Sequence, residues 1–129
     1  MTRFLPALLL LIAGCGGNLH PVNGRVHYAD GEPVTHGRVI LETPGPTGIW
    51  GLVRPDGTFT LGTNTPDDGV PAGTYNVYLE NTDTFPPAGS TENFTPQPLV
   101  HSKYGDPKTS GLTLEVPVKV QPDLTVERP

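Results

Sequence analysis

Along most of this chain apolar and polar residues alternate in short runs, and a period of two marks a strand with one face in a core. Val22, Gly24, Val26 and Tyr28 alternate with Asn23, Arg25 and His27 up to the turn signal ADGEP. Val39 and Leu41 are expected inward, between Arg38, Ile40 and Glu42. The runs GIWGLVR and TFTL are separated by PDG, where Pro55 sets the turn entry and Gly57 takes a positive φ. That pair reads as a hairpin, with Phe59 and Leu61 on one face of its second arm and Thr58 and Thr60 on the other. In GTYNVYLE, Tyr75, Val77 and Leu79 face inward and Tyr78 faces the opposite way. In LTLEVPVKV, Leu112, Leu114, Val116, Val118 and Val120 fall on every second position. Pro117 has no N–H for a ladder, so this strand is an edge at that point or ends there. Leu124 and Val126 form a last short strand. No window carries a sustained helical pattern, so almost no helix is expected.

Seven short strands with turns at close intervals predict an all-β chain, a single, mostly antiparallel β-sandwich over residues 22–129. The sixteen glycines and sixteen prolines sit between these runs rather than in a low-complexity block, which fits a many-turned β protein better than disorder. Between Asn81 and Ser110 the alternation lapses, and a loop of that length is either functional or partly disordered. Tyr104, the only large ring near its return, is expected to pack on the sandwich with its hydroxyl bonded to backbone.

Residues 1–14 read as a secretion signal, with Arg3 as the positive start, an apolar run from Phe4 to Ile12, and small Ala13 and Gly14 before Cys15. The run is shorter than the roughly 20 apolar residues that span a bilayer. The order LIAGC resembles the lipobox of bacterial lipoproteins, which implies cleavage before Cys15 and a diacylglyceryl and palmitate-type anchor on its thiol. A lipid-bearing thiol is closed to nucleophilic, metal and disulfide chemistry. Residues 15–21 are then a tether. Gly16 stands where some bacteria place the aspartate that retains a lipoprotein at the inner membrane, so the resemblance favours the outer membrane, on its periplasmic or surface side. Without residues 1–14 the chain keeps seven Lys and Arg against thirteen Asp and Glu, a formal charge of −6. That balance argues against nucleic acid and against electrostatic docking on anionic lipid.

Four fragments in order behind this signal, NGRVHYADGEPVTHGRV, PDGTFTLGT, DDGVPAGTYNVYL and KYGDPKTSGLTLEV, resemble the small bacterial lipoproteins built on a carboxypeptidase-regulatory-like, transthyretin-like domain. The likeness covers nearly all of residues 22–126. It implies a β-sandwich at the cell envelope, without catalytic residues or cofactor and of undetermined role.

The residues themselves offer little catalysis. Ser90, Ser102 and Ser110 lie in no nucleophile-elbow motif, and His101 and Ser102, as neighbours on an extended chain, point to opposite faces. His20, His27, His36 and His101, and the loop acids Asp30, Asp56, Asp67, Asp68 and Asp106, lack the spacing of zinc or EF-hand sites, so no metal is expected. By strand parity Trp50 and Tyr78 fall outside the core, and with Tyr104 they are the candidate ligand contacts. Two functions stay open: a monomeric, non-catalytic interaction module contacting an envelope protein, and a carbohydrate-binding surface lipoprotein.

Overall fold

The computed structural model describes residues 18–44, 48–84, 86, 89 and 93–129. The secretion signal and Cys15 lie outside them. Among the described residues there are seven strands: β1 Asn23–Tyr28, β2 Arg38–Leu41, β3 Ile49–Leu52, β4 Thr58–Thr60, β5 Gly73–Glu80, β6 Leu112–Val116 and β7 Asp123–Val126. The fold is all-β, in two sheets ordered β4-β1-β7 and β3-β2-β5-β6. Every pairing is antiparallel except β1 with β7, which is parallel.

Alternation builds the core. In the first sheet Val26 lies opposite Leu124 and Tyr28 opposite Val126, while the Phe59 ring lies over Gly24. In the second, Val39 pairs with Leu79, Leu41 with Val77 and Ile49, and Tyr75 with Leu114. The buried members of both sets belong to one apolar cluster, with Tyr75 packed against it. At about 25 cal/mol per Å² of apolar surface removed from water, each fully buried Val or Leu contributes roughly 1.5–3 kcal/mol toward the cost of ordering these strands. At the β1–β7 edge, His27 Nε2 lies 2.6 Å from the Asp123 carboxylate.

Several expectations change. Ile40, placed by parity on the polar face, is buried, because its cross-strand partners on that face are Trp50 and Tyr78. The PDG turn forms as expected: Gly57 N–H donates to the Arg54 carbonyl at 2.8 Å with φ +86° at Gly57, and Arg54 N–H donates to the Thr58 carbonyl at 2.8 Å. Its two arms then join different sheets, β3 bonding to β2 and β4 to β1. They meet again where Trp50 and Gly62 exchange backbone hydrogen bonds at 3.3 and 3.1 Å. The strand LTLEVPVKV ends at Val116, and Val120 is 81% exposed rather than a core position.

Backbone pairing reaches ahead of residue 22, since His20 and Val70 exchange backbone bonds at 2.8 and 2.9 Å. The excursion after β5 is partly structured: Asp83 bridges Pro98, and Thr84 N–H donates to the Gln97 carbonyl. Leu99 and Val100 return to the core, and a 3₁₀ turn, Ser102–Gly105, follows with Tyr104 buried. Tyr28 reaches this return, its hydroxyl donating to the Leu99 carbonyl at 2.6 Å, while Arg128 stacks 3.9 Å above the Tyr28 ring.

Candidate functional site

The line along which β3 and β4 meet carries the site. Pairing at Trp50–Gly62 and at Arg54–Thr58 brings the two strands together at both ends. Between those points Gly51 passes so close to Thr60 that a β-carbon on it would overlap the Thr60 carbonyl oxygen. Outside this seam lies a groove of about 410 Å³, within the range of small-molecule sites. Trp50, Leu52 and Arg54 form one wall; Thr60 and the loop from Gly62 to Asp67 form the other.

Trp50 owes its place to strand parity. Ile49 and Gly51 point into the core, so Trp50 and Leu52 point out, 43% and 62% exposed. Arg38, on the adjacent strand, sets its guanidinium 4.9 Å from the centre of the Trp50 ring. Arg54 is fixed by two hydroxyls, donating to Thr58 Oγ1 at 3.2 Å and to Thr60 Oγ1 at 2.9 Å. Thr60 in turn donates to Asn23 Oδ1 at 2.7 Å. Among the described residues Arg25, Lys103 and Arg128 have carboxylate partners, whereas Arg38 and Arg54 have none in ion-pair contact.

The loop wall is held from within. The Asp68 carboxylate accepts from the backbone N–H groups of Thr63, Asn64 and Thr65 at 2.6, 3.1 and 3.1 Å, and Thr63 Oγ1 donates to the Gly69 carbonyl at 2.7 Å. These backbone bonds, that of Thr63 first, hold the Asp68 carboxyl below the usual range. Asp67, with φ +65°, lines the groove. The PDDG segment thus spends one carboxylate on loop structure and sets Asp67 in the groove wall.

The three candidate aromatics separate. Trp50 lines the groove. Tyr78 shares the outer face, across Ile40 from Trp50, but is half-buried and outside the groove lining; burial first, then Glu80 and Glu42, pushes its hydroxyl pKa up. Tyr104 is 3% exposed, and its hydroxyl accepts from Glu127 N–H at 3.0 Å, so its ring belongs to the core rather than to a ligand surface. His101 caps the 3₁₀ turn, its Nδ1 accepting from Lys103 N–H at 3.0 Å. Buried Ser110 donates to the Val77 carbonyl and accepts from Leu112 N–H. Among the described residues no group of three or more His, Cys, Asp or Glu is placed to hold a metal ion, and no helix is long and apolar enough to cross a membrane. Sequence reasoning found Trp50 but missed Arg54, four residues further along the same arm, and the wall at Gly62–Asp67, which the Trp50–Gly62 pairing brings beside it.

No protein family, curated protein or solved structure matches the chain.

Proposed function

We propose that this chain is a lipid-anchored, non-catalytic binding module of the bacterial cell envelope, its two sheets forming a single β-sandwich of the transthyretin-like kind. The groove at Trp50 carries the binding part of this reading: an exposed indole, two guanidinium groups that make no ion-pair contact with a carboxylate among the described residues, and a loop braced by Asp68 make a preformed recognition surface. The sandwich reading is supported by one apolar cluster that draws on both sheets. The anchor reading is supported by the run LIAGC. Because His20 is already bonded to Val70, only four residues lie between it and Cys15, and a lipid there would hold the body within about 17 Å of the membrane surface, the reach of five residue steps.

Detergent-phase partition of the full chain and of Cys15→Ser, expressed in a bacterium with lipoprotein processing, tests the anchor. The wild type is expected in the detergent phase and the variant in the aqueous phase. Equal partition of the two would contradict it.

A further inference from the structure

The groove's polar groups are of three kinds. Arg54 supplies a cation held by the Thr58 and Thr60 hydroxyls, the first of which donates to the Asp56 carboxylate at 2.6 Å; Asn64 supplies an amide; Asp67 supplies an acceptor on the loop wall. Trp50 adds a flat apolar surface that remains 43% exposed with Arg38 stacked on it. The two guanidinium groups stand beside the one indole, Arg38 opposite Glu80 on β5 and Arg54 joined through the Thr58 hydroxyl to Asp56, and among the described residues neither is in ion-pair contact with a carboxylate. A flat ligand with an apolar face, hydroxyls at its edge and one negative group would satisfy all of these together.

We propose that this groove binds a carboxylated pyranose, a uronic-acid type of sugar in a polysaccharide, with the sugar's C–H face on Trp50 and its carboxylate at Arg54. The sugar hydroxyls are then left to Asn64 and Asp67. Arg54 suits the role because its fork matches a carboxylate in two-point fashion, and the Thr58 and Thr60 hydroxyls already hold it in one orientation. A neutral hexose would offer Arg54 no charge-assisted bond, and an apolar ligand would give neither Arg54 nor Asp67 a partner. Asp67 faces the same groove, so the ligand's single negative charge is placed toward Arg54, with its hydroxyl edge toward the loop. This assignment rests on the binding-module reading and gives that module its ligand class.

Trp50 is the only tryptophan in the chain, so its fluorescence reports on this groove without interference. The test titrates the full chain in detergent with oligogalacturonate and with its methyl ester, which keeps the ring and masks the carboxylate. The acid should shift Trp50 emission and bind about tenfold or more tighter than the ester, the worth of one charge-assisted pair. Arg54→Gln should bring the acid down to about the ester's affinity while costing the ester far less, with an unaltered melting point showing that the fold is intact. Tyr78→Phe should bind as wild type. Equal affinity for acid and ester would overturn the carboxylate assignment, and so would an equal loss for both in Arg54→Gln. If neither sugar binds, the saccharide class is wrong; the anchored-module reading then stands or falls separately, on the Cys15→Ser partition and on retention by envelope material.

Discussion

The backbone N–H of Glu127 donates to the Tyr104 hydroxyl at 3.0 Å, tying the C-terminal end of the chain to the return of the long excursion. The same ring is buried in the core, and Lys103 beside it pairs with the Glu127 carboxylate at 2.6 Å. Tyr104→Ala removes ring and hydroxyl together and should cost about 3–5 kcal/mol, as other buried aromatic truncations do. Tyr104→Phe keeps the packing and should cost only about 0.5–1.5 kcal/mol. Denaturant titration of both variants checks this. Equal losses would mean that the ring contributes nothing beyond its hydroxyl.

Ser110 fixes the entry to β6. Its buried hydroxyl joins the Val77 carbonyl of β5 to the Leu112 N–H of β6, which sets the register in which Val77 faces Leu112. Ser110→Ala leaves both groups short of a partner and should destabilise by about 1–3 kcal/mol. A hydrogen-exchange measurement should show the loss of protection concentrated at Leu112 and its neighbours on β6.

Gly51 lets the two sheets meet. A methyl group there collides with the Thr60 carbonyl, and backbone cannot move aside as a flexible side chain can. Gly51→Ala should cost about 1–3 kcal/mol or more by overpacking, and should widen the groove by parting β3 from β4. Thermal unfolding with Trp50 emission as the signal reads both effects, because the lining ring reports the local opening before global melting.

Much of this architecture is legible in the order of residues, and the reasons it stops are physical. Alternation in Asn23–Tyr28 identifies Val26 and Tyr28 as core because each strand residue's face is set by its immediate neighbours. Pro117 announces the end of β6 because a missing N–H is a local fact. Ile40 escapes the same logic: its burial depends on Trp50 and Tyr78, which come from other strands. The splitting of the PDG arms between two sheets and the parallel pairing of β7 with β1 are likewise decided by long-range bonding. At the groove, parity exposes Trp50, whereas its joining to Gly62–Asp67 follows from a backbone pairing twelve residues away in sequence.

Acid should weaken the fold through its carboxylates. Asp68 is held low by the Thr63 backbone bond, Asp30 by that of Glu32, Asp56 by the Thr58 hydroxyl and Glu127 by the Lys103 hydrogen bond. A carboxyl with a depressed folded value contributes stability that is complete above its unfolded value, about 3.9 for Asp and 4.3 for Glu, and that is lost as pH falls through the folded value. Stability should therefore fall below about pH 4. The decline should be shallower in Asp68→Asn, whose side chain cannot take up the proton. Urea midpoints measured from pH 7 down to pH 2.5 check the slope, and identical slopes for wild type and variant would remove Asp68 from the account.

The central claim is that the groove at Trp50 is the working surface of an envelope-tethered module, and acrylamide quenching of Trp50 tests it most directly. The full chain in detergent would be measured before and after addition of solubilised bacterial envelope material to which it is retained. The account predicts that bound chain loses most of its quenching and that its emission moves to the blue, as the 43% exposed ring is covered. Retention on the envelope with Trp50 quenched as freely as in the unbound chain would contradict the claim and move the working surface elsewhere on the fold.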